Sequence, residues 1–264
     1  MFVKLLAASA LTAGVAALPA PRSPDTTVHY KISVLARSTI DLSAMGAGEQ
    51  KSTTGFTGYF AMTLKDTTGG RALTAVLDSM RVDSATQGMA ELQLLADSAV
   101  GATWHGLLTE KGKVDNLTFV QGGAGAQQFE AVLAGFFPRG NAHLRKQGES
   151  WSDTLTYSST TANGSTTIKL MTLYTNGGEG AYNGGKALTI NTTSTTQSTG
   201  SQEGPGGDMQ LEGNGTGVGT YYVAKDGRYL GGTNTVNSNM TITMAQAPAP
   251  IPLKAVTTVT VSSY

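Results

Sequence analysis

Over most of the chain, apolar and polar residues alternate one for one, the period of a half-buried β-strand. Val28 to Leu42 gives the first long strand, with Ile32, Val34 and Ala36 on one face. After a Gly-containing loop from Met45 to Thr54, Gly58 to Lys65 repeats the pattern with Phe60, Met62 and Leu64. A turn at Asp66 to Gly70 passes to a partner strand, Arg71 to Val82, so the two read as a hairpin. Glu91 to Phe119 reads as another hairpin: Leu92, Leu94 and Leu95, a segment around Trp104 and Leu107, a turn at Glu110 to Lys113, then Val114 to Val120.

The period changes between Ala126 and Trp151. Phe129, Val132, Leu133, Phe136 and Phe137 recur at the spacing of one helical face, and Pro138 stops the run. This is the one mature helix the sequence predicts, at about 126–137. Beyond it alternation resumes. Trp151, Leu155 and Tyr157 open a strand, Asn163-Gly164 signals a tight turn, and Ile168, Leu170, Thr172 and Tyr174 share a face. Asn176 to Gly185 reads as a glycine-rich turn or loop, Ala187 to Thr196 as a strand with a Thr/Asn face, and Ser198 to Asp208 as a low-complexity loop. Met209 to Val223 and Arg228 to Met244 form a hairpin across Lys225-Asp226-Gly227, and Ala247 to Pro252 connects to a last strand ending at Tyr264. The predicted class is mainly β: a large antiparallel, curved sheet, half-barrel or sandwich, with one central amphipathic helix.

At 264 residues a single β domain spanning 28–264 is expected, with two β halves, 28–123 and 148–264, as a variant of that organisation. Gly101-Ala-Thr-Trp104 before Lys111-Gly-Lys113 faintly echoes Gly219-Thr-Tyr221-Tyr222 before Lys225-Asp-Gly-Arg228. Residues 1–17 carry Lys4, an apolar Ala-rich run and small residues at Val15 and Ala17, the pattern of a secretory signal peptide, followed by a polar leader at 18–27. The expected address is periplasmic or extracellular, with no transmembrane helix after signal removal and, for want of cysteine, no lipid anchor. A net charge of zero gives no field to attract nucleic acid.

The chemistry-bearing residues are scattered. His29, His105 and His143 show no metal-ligand spacing, and no cofactor motif is present. Ser150, Ser152 and Asp153 would need His143 beside them to imitate a hydrolase. Gly213, Gly215, Gly217 and Gly219 fall at every second residue, on one face of one strand, where bare backbone admits a helix, an aromatic ring or a ligand. Phe60, Met62, Leu64, Phe129, Leu133 and Phe136 are the candidates to line an apolar-ligand site. Phe137, Arg139, Arg145 and Lys146 are the candidates for a surface lip against a membrane or partner; the competing reading buries the phenylalanines and leaves the cations solvated.

Phe136-Phe137-Pro138, then Gly148-Glu-Ser-Trp151, then the Gly-rich stretch Gly217 to Gly227 with its aromatic pair and Lys/Asp-Gly turn, resemble a loose group of uncharacterised exported bacterial β proteins. That resemblance implies a β fold and an envelope address, and no activity. Many of its members look like lipoproteins, whereas this chain lacks the anchoring cysteine. More distantly, the architecture is similar to the half-barrel lipid carriers of the bacterial envelope, which curl one sheet around an apolar cavity. The preferred functional reading is an exported, non-enzymatic envelope protein that binds a lipid, another apolar small molecule or an envelope protein partner. The alternative is a structural or adhesive β protein with a filled interior; a secreted hydrolase and an outer-membrane barrel come last.

Overall fold

A computed structural model describes residues 25–86, 88–123, 126, 129–140, 145–161, 164–204, 207–244 and 247–264. The signal-peptide pattern at 1–17, most of the leader, His143 and Asn163 lie outside the described residues.

The chain folds into β1 (Thr26–Asp41), β2 (Glu49–Thr67), β3 (Gly70–Val82), α1 (Met89–Ala99), β4 (Thr103–Thr109) and β5 (Val114–Gln121). After α2 (Glu130–Ala134) come β6 (Ser150–Thr161), β7 (Gly164–Tyr182), β8 (Gly185–Gly204), β9 (Gly207–Val223), β10 (Tyr229–Met244) and β11 (Ile251–Ser263). All eleven strands form one antiparallel sheet, in the order β5-β4-β3-β2-β1-β11-β10-β9-β8-β7-β6. Each arm is a meander of sequential hairpins, and the arms join where β1 meets β11, in register from Tyr30↔Ser263 to Ile40↔Leu253. The sheet is curved and does not close.

Side-chain alternation sets the two faces. On β7, Ile168, Leu170, Thr172 and Tyr174 are buried while Lys169, Met171 and Leu173 between them are exposed. A strand longer than the sequence suggested continues through Asn176 to Tyr182, with a shift in register between Asn176 and Gly178. Its glycines do not mark a loop. The turn itself is Asn183 (φ 49°) and Gly184 (φ 78°), two left-handed residues that suit a tight antiparallel hairpin. Likewise, Ser198 to Gly204 is strand, paired with Gly207 to Gly213, because a backbone ladder satisfies its N–H and C=O groups whatever the side chains are. The predicted loop at Met45 to Thr54 is shorter too, since β2 begins at Glu49.

The helices differ from expectation. Of the described residues in the segment 126–137 only Glu130–Ala134 is α-helical, and it stops at Gly135 before Pro138 can act. The longer helix is α1, where the leucines suggested a strand. It buries Ala96 and Ala99 and leaves Leu94 71% exposed. Gln93 holds it against the sheet: its Oε1 accepts from the Val82 amide at 2.9 Å and its Nε2 donates to Asp97 at 2.7 Å.

One apolar core joins both arms at one end of the inward face. Trp104 is fully buried there, with ring centroids 6.3 Å from Phe60, 6.0 Å from Phe119 and 6.3 Å from Phe129. Tyr174, Ile190, Tyr221, Val223 and Tyr229 reach it from the other arm.

Candidate functional site

All six residues proposed as apolar lining meet in this core. Phe60, Met62 and Leu64 point inward from β2; Phe129, Leu133 and Phe136 come from the segment around α2; none is more than 8% exposed. They pack on protein. Phe60 meets Phe129 edge-on at 6.0 Å, and Phe136 meets Tyr30 at 4.9 Å and Tyr229 at 5.5 Å. The segment around α2 thus fills this end of the curled sheet with aromatic rings.

The surface lip is corrected by the structure at two of its four residues. Phe137 is 5% and Arg139 6% exposed. Phe137 packs edge-on against Phe136 at 5.0 Å. Arg139 Nη1 donates to Asp153 Oδ2 and its Nη2 to the Ala134 carbonyl, both at 3.2 Å, so one guanidinium ties β6 to the end of α2. The Trp151 indole returns a 2.8 Å bond to the Arg139 carbonyl. Gly140 lies so close to that indole that a Cβ would strike it. The cations sought as a lip are in part a staple, because a guanidinium can be buried when each donor has an acceptor. Arg145 and Lys146 are exposed; Arg145 bonds Glu149 at 2.6 Å and holds its carboxyl below the usual range.

Sequence reasoning missed the middle of the inward face. There, one rank runs Thr172, Ser194, Gly217, Val236, Thr257 and Ala36 across six strands, and the next runs Leu170, Thr196, Gly215, Ser238, Ala255 and Ser38. Nearly all are small, and all but the two glycines and Ser38 have side chains at most 8% exposed. The glycines of β9 explain how. A Cβ on Gly217 would lie 2.5 Å from Ser194 Oγ, one on Gly219 2.8 Å from Thr192 Oγ1, one on Gly215 2.9 Å from the Asn237 carbonyl, and one on Gly213 would collide with Met240. Side chains and carbonyls of β8 and β10 stand against the bare strand, so the space its missing side chains leave is taken by its two neighbours. Farther along the same strands, Met240, Ile242, Ile251, Leu253 and Ala255 form a second apolar cluster, with Ile40, Leu42, Met209, Leu211 and Met244 partly covered around it. Its signal was present as the alternation of Met209 with Leu211 and of Met240 with Ile242 and Met244.

Burial makes three core tyrosines hard to ionise: Tyr30, Tyr221 and Tyr229 are all raised far above the ordinary value near 10. Tyr30 donates its proton to the Tyr229 carbonyl at 2.9 Å. The unfolded chain releases these protons near pH 10 and the folded chain does not, so their contribution is intact below pH 10 and is lost as pH rises beyond it. An alkaline titration should therefore show tyrosinate absorbance from the core appearing together with loss of circular dichroism, and not before it. Among the described residues no three His, Asp or Glu side chains are grouped to hold a metal ion. His29 and Asp78 stand 3.7 Å apart, both more than 40% exposed.

The outward face is of another kind. On β8 to β11 three successive ranks read Asn191, Thr220, Thr233, Thr260; Thr193, Val218, Thr235, Thr258; and Thr195, Thr216, Asn237, Val256. None is charged. Thr235 and Thr258 hydroxyls lie 3.2 Å apart, and Val218 is 61% exposed.

Fold and faces together define a mainly β protein with a single curved, unclosed antiparallel sheet. No helix among the described residues is long and apolar enough to cross a membrane. No protein-family model and no curated protein matches the chain. Among solved structures it is similar to OccAB4 of Acinetobacter baumannii, at 8% identity over 94% of this chain and 100% of that one, with a TM-score of 0.22. A loop-deletion mutant of OmpT, an outer membrane protein of Vibrio cholerae, gives 8% identity over 90% and 100%, with a TM-score of 0.20. At these scores neither bears on the fold or function of this chain.

Proposed function

We propose that this is an exported, non-enzymatic envelope protein that works through its outer surfaces, as a structural or adhesive module. The observation that carries this reading is the filled aromatic end: the six side chains best placed to line an apolar cavity contact one another and the rings around them. The export step is supported by the pattern at 1–17. The outward threonine ranks support a sheet bathed in water, since a lipid-facing wall would be apolar there. A second reading has its own observation. The partly covered cluster of Met209, Leu211, Met244, Ile40 and Leu42 would suit the mouth of an apolar-ligand site. Native mass spectrometry of the purified protein, beside an organic extract of the same sample, separates the two. The surface reading expects an apo mass and no extractable lipid; a lipid at one-to-one occupancy would overturn it in favour of a carrier.

A further inference from the structure

We propose that the outer edge of β6 is an association surface and that its partner is the β6 of a second copy, antiparallel across a two-fold axis. The two ends of the open sheet are built differently. β5 is eight residues long, its pairing with β4 shifts register twice, and Asn116 takes a left-handed φ of 51° in it. Bulges and kinks of this kind blunt an edge. β6 is twelve residues long and pairs with β7 without a single shift, from Ser150↔Thr175 to Thr161↔Gly164. It has no Lys, Arg or Pro, and its one charge, Asp153, is held by Arg139. Among the described residues no strand lies on its outer side.

The inward residues of β6 mark the same side as incomplete. Leu155 and Tyr157 are only half-buried, although their partners on β7, Leu170 and Ile168, are 4% and 5% exposed. What β7 has and β6 lacks is a second neighbouring strand. The chemistry of an open ladder calls for an extended backbone, and the sequence of β6 suits a copy of itself. With the two-fold at Thr156, that residue faces its own copy, Leu155 faces Tyr157 of the second copy on the inward side, and Thr154 faces Ser158 on the outward side. Asp153 faces no carboxylate. The net charge of zero leaves no long-range repulsion between the copies.

The side chain of Thr156 is exposed, so replacing it tests association without disturbing the core. Light scattering after size exclusion should give the full chain twice its monomer mass. Thr156→Lys and Thr156→Glu should each give the monomer mass, with the circular dichroism of the folded chain retained, because each would set like charges against each other at the axis. Mixing the two variants should restore the doubled mass. A wild-type chain that stays monomeric at its highest soluble concentration would overturn the proposal. So would charged variants that dimerise as the wild type does, or a mixture that fails to re-associate.

Discussion

Trp104→Ala should destabilise the fold by about 3–5 kcal/mol, the range for removing a large aromatic side chain from a closed interior. The indole is fully buried between β2, β5 and the segment before α2, in contact with three phenylalanines that come from three separate parts of the chain. No one of those can move into the gap without leaving its other contacts, so the cavity stays open. The indole Nε1 has no hydrogen-bond partner among the described residues. Trp104→Phe therefore keeps much of the ring packing and removes a donor that gains nothing from being buried, and its cost should stay under about 1.5 kcal/mol. Urea unfolding of the two variants, with the slope m unchanged, gives the comparison. Equal losses for both would mean that the indole nitrogen has a partner and that this account of the site is mistaken.

Gly217→Val should destabilise the protein by about 1–3 kcal/mol, the usual penalty for overfilling a packed site. The sign is the informative part. Valine is much the better strand former, so on propensity alone the substitution would stabilise by up to about 1 kcal/mol. The packing around Gly217 reverses this, because the space a Cβ needs is held by Ser194 Oγ on one side and by Val236, 3.1 Å away, on the other. Ser194→Ala in the same chain should return part of the loss, since it clears one of those two atoms, and the two changes should be markedly non-additive. A stabilised Gly217→Val would show that the strand is an ordinary one and that its neighbours yield to a side chain there.

The sequence made the strands legible wherever one face is buried. Phe60, Met62 and Leu64, or Ile168, Leu170 and Tyr174, announce both a strand and the side it buries. It was silent at the tip of β8, where Ser198 to Gly204 offers no apolar contrast. α1 was misread because its fully buried residues are the alanines Ala96 and Ala99, while Leu94 faces water and Leu92 and Leu95 are only half-buried. The burial of Arg139 could not be read at all. Its acceptors are a carbonyl at Ala134 and a carboxylate at Asp153, brought together only when β6 takes its place in the sheet. The glycine stripe was visible as a pattern, but its meaning depends on which strands flank β9: Ser194, Thr192 and Met240 lie where its side chains would be. The six candidate lining residues share one core cluster, and what covers them, namely each other and the rings around them, is the part that packing decides.

The seam between β1 and β11 has a consequence for how the molecule assembles. Every other ladder in the sheet joins strands that follow one another in sequence, except that Tyr30 pairs with Ser263 and Ile40 with Leu253, across more than two hundred residues. Loop closure over such a span is entropically costly, and contacts of this kind govern folding speed. Each arm can therefore zip from its own hairpins early, while the join waits for the last strand and sets the slow step. Because Tyr30 near the start of β1 pairs with Ser263 at the end of β11, linking the start of β1 to the end of β11 would turn the slowest ladder into a local hairpin and pass the delay to wherever the chain was newly cut.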